Sequence, residues 1–323
     1  MFENKKILIT GGTGSLGQSL TKRLLDFKVD TIRILSRNEE KQILMKEKFL
    51  GDDRLRFFIG DVRDKERLRR AIEDIDIVFH AAALKHVPVI EYNPFEAIKT
   101  NVIGSQNIID VSLEENIEKA ICVGTDKAVS PLNTYGATKL LMEKLFVSAD
   151  NYFNKDKHQT KFIALRYGNV LGSSGSVVPL FIKQIKEKKK ISITDINMTR
   201  FNITMNEALD FILESAQEGK GSEIFIPKLK AYSILTLKDA LFEIYGKTDE
   251  QITGIRPGEK LHEILINFDE VRNTFDAGNK YVILKDHNLD HNNVIFKQQY
   301  SSDNVEKLSK EELVKIISTN LNK

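Results

Sequence analysis

Six short apolar runs recur along the first half of the chain, separated by longer amphipathic stretches. They are Lys5–Thr10, Thr31–Ser36, Leu55–Gly60, Asp76–Ala81, Lys119–Gly124 and Lys161–Arg166. Each has strand length and too little polar alternation to leave one face in water. Helix-length stretches such as Ser15–Phe27 and Asp64–Glu73 lie between them. Strand and helix in alternation imply parallel strands joined by crossovers, with helices on both faces. The expected fold is α/β, a doubly wound parallel sheet.

The turn after the first run narrows this further. In "ILITGGTGSLGQSL", Gly11, Gly14 and Gly17 follow the strand directly and lead into a helix. Small residues there allow a tight turn, close approach of a pyrophosphate and close helix–strand packing. The free N–H groups and positive dipole end of the helix complete a phosphate site built on Gly11, Thr13, Gly14, Ser15, Leu16 and Gly17. This predicts a Rossmann dinucleotide-binding domain. Where an NAD-selecting protein has an acid after strand two, this chain has Ser36 and Arg37. A guanidinium suits a 2′-phosphate, so NADP is favoured. Asp61 and Val62, after strand three, fall at the adenine edge. The small Ala81, Ala82 and Ala83, after strand four, let the backbone run close to the cofactor.

After Tyr167 the alternation loosens. The Gly- and Ser-rich stretch Gly168–Pro179 reads as a loop, followed by helices near Pro179–Lys189 and Asn206–Gln217 and by scattered short strands. The expected division is a dinucleotide-binding domain over 1–167, with 205–227 returning to it. Residues 168–323 then form mainly a smaller α/β substrate lobe and a polar, Asn-rich tail with a last helix near Lys310–Asn320.

Net charge is +2, which argues against a nucleic-acid or membrane-surface partner, and "KEKKK" (Lys186–Lys190) reads as a solvated helix end. The one cysteine, Cys122, excludes an intrachain disulfide and reads as a buried strand thiol. The chain starts directly into a strand pattern, and no apolar stretch approaches a membrane span, so a cytoplasmic protein is expected. No His/Cys cluster has metal-ligand spacing, and no metal is expected.

The chemistry concentrates in "VGTDKAVSPLNTYGATK" (Val123–Lys139). Tyr135 and Lys139 stand four apart at a helix start, sharing a face about 6 Å apart along the axis. A lysine charge and a nearby nicotinamide cation favour the phenolate and lower the tyrosine pKa toward neutrality. Such a tyrosine takes a hydroxyl proton while hydride leaves the same carbon. Thr125 suits a hydrogen bond to the reacting hydroxyl. A dehydrogenase or 4-epimerase needs no more than these, which leaves Asp126 and Lys127 surplus.

At this point the chain resembles the extended short-chain dehydrogenase/reductase family over nearly its whole length. The stretches "AAALKHVPVIEYNPFEAIKTNVIGSQNII", "TDKAVSPLNTYGATK", "RYGNVLGSSGSVVPLF", "ITDINMTRF" and "GIRPGEKLHE" narrow the resemblance to inverting UDP-N-acetylglucosamine 4,6-dehydratases. These enzymes open the route to pseudaminic acid and related sugars. The resemblance implies a second proton-transfer device for elimination across carbons 5 and 6. Lys127 would be the base at carbon 5 and Asp126 the acid for the departing 6-hydroxyl. Lys127 must then be neutral when it acts, and burial with Lys139 nearby would lower its pKa.

The resemblance further implies that Lys85 contacts cofactor or substrate, that Thr100 and Asn101 touch the cofactor, and that the backbone at Val170 meets the carboxamide. Asn169 and Val177 would meet the sugar or diphosphate, Arg200 and Arg256 the diphosphate, Glu259 the ribose and Thr194 the uracil. His86 reads as structural, while Lys260 and His262 receive no role. Relatives assemble as dimers or hexamers through the helices after strands four and five, so a homo-oligomer is expected, and "QQYSSDN" (Gln298–Asn304) could reach a neighbour. A retaining dehydratase, a UDP-hexose 4-epimerase and a catalytically silent nucleotide-binding regulator remain alternatives.

Overall fold

The computed structural model describes residues 1–151, 153, 154, 156–173, 175–285 and 298–321. Its first half runs β1 (Lys6–Thr10), α1 (Ser15–Leu25), β2 (Thr31–Ser36), α2 (Glu39–Lys48), β3 (Leu55–Ile59), α3 (Lys65–Ile72), β4 (Ile77–His80), α4 (Val87–Tyr92), α5 (Pro94–Ala97), α6 (Gly104–Glu114), β5 (Lys119–Val123), α7 (Thr134–Ser148) and β6 (Lys161–Leu165). The second half adds α8 (Val177–Lys186), β7 (Ile191–Ile193), β8 (Thr199–Phe201), α9 (Met205–Glu218), β9 (Glu223–Pro227), β10 (Ala231–Ser233) and α10 (Ile234–Tyr245). It closes with β11 (Glu250–Ile252), β12 (Ile264–Ile266), β13 (Thr274–Asp276), β14 (Lys280–Leu284), β15 (Tyr300–Ser301) and α11 (Lys310–Leu321).

Nine strands form the main sheet in the order β3-β2-β1-β4-β5-β6-β9-β14-β13. β3 through β9 are parallel neighbours, as the strand–helix alternation predicts. The two-residue period of a strand sends alternate side chains to opposite core layers. Leu8, Val78, Ala120, Cys122, Phe162 and Ala164 enter one layer. Ile7, Ile9, Phe79, Ile121, Ile163 and Leu165 enter the other. Full burial of each large aliphatic side chain contributes about 1.5–3 kcal/mol, which is why these strands lack a polar face.

β9 reaches the sheet through α9 and pairs with β6 at Ala164–Ile224 and Leu165–Phe225. The antiparallel pair β14–β13 then extends the sheet, a feature absent from the sequence expectation. Its turn is set by Gly278, at φ +81°, whose N–H donates to Asp276 Oδ1 at 2.9 Å.

A third core lies over the carboxyl ends of the strands. Phe181 and Ile185 of α8, Leu237 and Leu241 of α10, and Leu313 and Ile317 of α11 pack together there. The tail expectation needs correction. Tyr300–Ser301 folds back on its own chain and pairs with β12, so this part of "QQYSSDN" is occupied internally. Residues 286–297 of the Asn-rich stretch lie outside the described residues.

The strand order reverses between β1 and β4, and the crevice at that reversal is where an open α/β sheet binds its ligand. Helix capping marks the same spot. α2, α3, α7 and α9 begin with Asn38, Asp64, Asn133 and Thr204, whose side chains accept first-turn N–H groups. α1 begins at Gly14 with no side-chain cap, leaving its N-terminus open to an anion.

Candidate active site

The glycine turn fits only small residues. Gly11 has φ +66°, and a Cβ there would lie 2.9 Å from Ala82 Cα; a Cβ on Gly17 would lie 2.5 Å from Gly12 Cα. Thr13 is buried, Leu16 half-buried and Ser15 exposed on the open side. The loop carrying Ala81, Ala82 and Ala83 is tied to this turn through a buried network. Thr10 Oγ1 lies 2.8 Å from His80 Nδ1, and Ala82 N donates to Thr10 Oγ1. Burial pushes His80 down to about 3, so it serves as a neutral hydrogen-bonding bridge.

Thr100 and Asn101 sit in a π-helical turn over Ile98–Ile103, a distortion that often accompanies functional sites. Asn101 is fully buried, and its amide is spent on the chain itself. It accepts from Leu84 N at 2.8 Å and donates to Leu84 O and Thr138 Oγ1, both at 3.0 Å. It therefore holds the loop after β4 instead of facing outward. Thr100 Oγ1 is buried without a hydrogen-bond partner.

At the end of β2, Ser36 Oγ accepts from Gln42 Nε2 at 3.0 Å. Arg37 is exposed and only 3.8 Å from Asp61 Oδ2, whereas Arg63 holds the same oxygen at 2.7 Å. Burial would raise the Asp61 carboxyl, but Arg63 and then Arg37 keep it below its ordinary value. Val62 is buried next to it, and its carbonyl accepts from Asn107 Nδ2.

The chemical group gathers at the carboxyl end of β5. Asp126 is fully buried, with Oδ1 accepting from Thr125 Oγ1 at 2.9 Å and from Lys127 Nζ at 3.1 Å. Lys127 Nζ also donates to Asn169 Oδ1 at 3.1 Å and lies 3.4 Å from Glu263 Oε1. Thr125 and Tyr135 share the same cavity wall, and Thr125 acts on the Tyr135 hydroxyl to lower its pKa against burial. Burial raises the Asp126 carboxyl above its ordinary value despite the Lys127 charge.

Two electrostatic expectations are corrected here. Burial pushes Lys127 down, but the Asp126 and Glu263 carboxylates outweigh it, and its ammonium is held above the ordinary lysine value. Tyr135 is raised, not lowered, because burial outweighs the neighbouring cation, and that cation is Lys127. Lys139 is turned away to donate to Val123 O at 2.7 Å, and burial pushes it down to about 8.

These groups open onto a cavity of about 380 Å³. Thr125, Lys127 and Tyr135 line it, as do all seven residues expected at the substrate: Lys85, Asn169, Val177, Thr194, Arg200, Arg256 and Glu259. Asp126 and Lys139 lie behind the wall. Arg256 and Lys85 are exposed at the rim. Arg200 is largely committed to the chain, donating to the carbonyls of Thr199, Lys260 and Leu261. Thr194 Oγ1 donates to Met198 Sδ. Val170, outside the wall, bridges to Ile203. Arg166, at the end of β6, is a fully buried brace held by Glu143 and Glu270.

Three titratable wall residues had no functional place in the sequence reading: Glu263, Lys260 and His86. His86, read as structural, is exposed on the cavity wall, while Lys260 Nζ donates to Val129 O. His262 pairs with Thr199 Oγ1 at 2.8 Å. Glu263 ends the quoted stretch "GIRPGEKLHE", but no spacing rule connects it to Lys127, which lies far off in sequence. Among the described residues, no group of His, Cys, Asp and Glu side chains is placed to hold a metal ion, and no helix is long and apolar enough to cross a membrane.

Comparison with known proteins agrees with this architecture. The family model described as "Polysaccharide biosynthesis protein" matches residues 7–285. A UDP-N-acetylglucosamine 4,6-dehydratase (inverting) of Campylobacter jejuni is 50% identical over 285 residues, covering 88% of this chain and 84% of that protein. A UDP-glucose 4-epimerase of Rickettsia felis is 39% identical over 331 residues, covering 98% and 96%. The X-ray structure of Pen from Bacillus thuringiensis superposes with a TM-score of 0.93 at 39% identity, covering 99% of each chain. The chain thus belongs to the polysaccharide biosynthesis protein family, in the short-chain dehydrogenase/reductase-type enzyme lineage of the inverting UDP-N-acetylglucosamine 4,6-dehydratases.

Proposed function

We propose that this protein is an NADP-dependent UDP-N-acetylglucosamine 4,6-dehydratase that inverts carbon 5, giving UDP-2-acetamido-2,6-dideoxy-β-L-arabino-hex-4-ulose for surface-polysaccharide or glycoprotein sugars. The observation that carries the reading is the meeting of two proton-transfer pairs at one cavity, with three of the four residues in its wall and Asp126 directly behind it. Thr125 and Tyr135 form one, and Asp126 and Lys127 the other.

The residues fit the cofactor. Gly11 and Gly17 in the turn leave no room for a Cβ, α1 presents an uncapped N-terminus, and Thr100 Oγ1 is a buried polar atom without a partner. Asp61 is neutralised mainly by Arg63, which leaves the loosely held Arg37 for a 2′-phosphate. Bound NADP supplies a hydride acceptor for carbon 4 and, later in the same turnover, a hydride donor for carbon 6.

Tyr135, with Thr125 beside it, takes the proton of the 4-hydroxyl. Formation of the 4-ketone makes the carbon-5 proton acidic. Lys127, once deprotonated, removes it. Asp126, whose carboxyl burial raises above its ordinary value, gives its proton to the departing 6-hydroxyl. Return of a proton to the opposite face of carbon 5 inverts that centre. Arg200 and Arg256 face the diphosphate, Glu259 the ribose and Thr194 the uracil. Lys85, Asn169 and Val177 close around the sugar.

In this division, residues 1–167 with 205–227 hold the cofactor and the remainder holds the nucleotide sugar. The protein works as a cytoplasmic homo-oligomer. Val89, Tyr92, Phe95, Ile103 and Leu141 expose apolar surface on the helices flanking β5, which supports that assembly.

A 4-epimerase, the activity named for the Rickettsia relative, would use Tyr135 and Thr125 and leave Asp126 and Lys127 idle. NMR of the protein with UDP-N-acetylglucosamine in deuterated water decides between them. A 6-deoxy-4-keto product carrying deuterium at carbon 5, in the L-arabino configuration, is expected. Appearance of the carbon-4 epimer alone would overturn the dehydratase reading.

A further inference from the structure

Glu263 is a buried carboxylate in the cavity wall that neither the Tyr135 pair nor the Asp126 pair accounts for. It is 3% exposed, with Oε1 3.4 Å from Lys127 Nζ and 3.7 Å from Arg200 Nε. Its other oxygen, Oε2, is buried without a hydrogen-bond partner. A carboxylate taken this far out of water is costly unless other charges hold it ionised.

Its backbone is gripped by the tail. Glu263 N donates to Ser302 Oγ at 2.9 Å, and Ser302 N donates to Glu263 O at 2.8 Å. Ser301 Oγ donates to the same carbonyl at 3.2 Å. Ser302 Oγ is itself 2.7 Å from Thr199 Oγ1, next to Arg200. The segment "YSSD", unexplained by any motif in the sequence, thus ties the backbone N–H and C=O of Glu263 to the strand that carries Arg200.

We propose that Glu263 is a positioning residue for the proton transfer at carbon 5, fixing the Lys127 amine between itself, Asp126 and Asn169 and setting the pH range over which that amine acts. The inference rests on the reading of Lys127 as the carbon-5 base.

The two carboxyls beside Lys127 divide the work. Burial keeps Asp126 toward its acid form, so its negative charge is the less available of the two. Burial acts on Glu263 in the same sense, but Lys127, Arg200 and Lys260 outweigh it and hold it ionised. The charged and titratable groups that face Lys127 are Asp126 on its own turn, Glu263 before β12, Arg200 on β8 and Tyr135 on α7. Lys260 faces Glu263 from the other side. Within this set Asp126 is the nearer counter-charge, and Glu263 is the one supplied from outside the turn that carries Lys127. An opposite charge within about 4–6 Å moves a pKa by about 1–3 units, enough to shift the acidic limb of a rate profile.

The test compares Glu263→Gln, Glu263→Asp and Lys127→Ala with the parent enzyme. It reads the pH dependence of kcat and of deuterium uptake at carbon 5 with UDP-N-acetylglucosamine. Turnover requires neutral Lys127, so the acidic limb of the parent profile follows its deprotonation. In Glu263→Gln that limb moves to lower pH by about one unit or more, while transient cofactor reduction persists. Glu263→Asp, which draws the charge back by one methylene, moves it the same way by less, and decides the matter if the glutamine variant does not fold. A limb that stays in place in the folded variants, with or without loss of kcat, overturns the inference. Carbon-5 exchange surviving in Lys127→Ala would instead overturn the reading of Lys127 itself. Its loss there, with an unmoved limb in Glu263→Gln, overturns the role of Glu263 alone.

Discussion

Lys139 donates its ammonium to the main-chain carbonyl of Val123 at 2.7 Å, from a position 4% exposed at the centre of the fold. Burial holds the amine down to about 8, against an ordinary value of 10.5. At neutral pH the charged form is therefore a burden on the cofactor-free protein, on the order of 3 kcal/mol.

The sign of its pH dependence follows from linkage. Between about pH 8 and 10.5 the unfolded chain binds the Lys139 proton more tightly than the folded one, so this group adds stability as pH rises through that window. Below pH 8 its cost is constant. The Lys139→Met variant lacks the effect. Its melting temperature, compared with the parent in cofactor-stripped protein, is expected to fall behind progressively from pH 8 to 10. A difference independent of pH would show that Lys139 is not desolvated as described.

Gly17→Ala tests the turn. The new Cβ would lie 2.5 Å from both Cα and O of Gly12, so backbone must move, not a flexible side chain. Overpacking of this kind costs about 1–3 kcal/mol. The expected result is a lower denaturation midpoint together with loss of copurifying nicotinamide cofactor. Retention of both would mean that the turn has slack the structure does not show.

Arg37→Ala tests cofactor choice. The guanidinium is exposed and makes only a 3.8 Å contact with Asp61, so its removal should leave folding intact. A charge-assisted hydrogen bond is worth about 1.5–3 kcal/mol, which predicts about a 10–100-fold weaker Kd for NADP. The Kd for NAD should change little. Titration calorimetry with both nucleotides checks this, and parallel losses would remove Arg37 from the 2′-phosphate.

Glu143→Ala tests the buried brace. Arg166 Nε donates to Glu143 Oε2 at 3.0 Å, while Arg166 Nη1 and Nη2 donate to Glu270 at 2.9 Å. Arg166 and Glu143 are fully inaccessible. Removing Glu143 leaves Glu270 to balance the charge but takes the acceptor from Arg166 Nε, and a buried donor left unpaired costs about 1–3 kcal/mol. Urea denaturation should show that loss. Double substitution of Glu143 and Arg166 by apolar residues of similar volume should recover part of it.

Local pattern carried the parts of this protein that depend on neighbours in the chain. Strand burial, the helix beginning near Asp64, the helix start at Tyr135 and the glycine turn were all legible, because each depends on residues within a few positions. The wall residues Lys85, Asn169, Val177, Thr194, Arg200, Arg256 and Glu259 came only from resemblance. Their motifs lie on separate elements, and nothing in their spacing says they meet.

What the chain's order of residues determined by itself was the layered parallel sheet, the glycine turn after its first strand, and the presence of Tyr135, Lys139, Asp126 and Lys127 in one segment. Tertiary structure alone decided their electrical state. Lys127 is held charged by Asp126, its neighbour in the chain, and by Glu263, which is distant in sequence and is pressed beside it by the pairing of β15 with β12. Tyr135 is raised because the fold dries its surroundings and turns Lys139 toward Val123. The physical reason is that ionisation answers to every charge within a few ångströms and to the water excluded around it, and both are properties of packing in three dimensions.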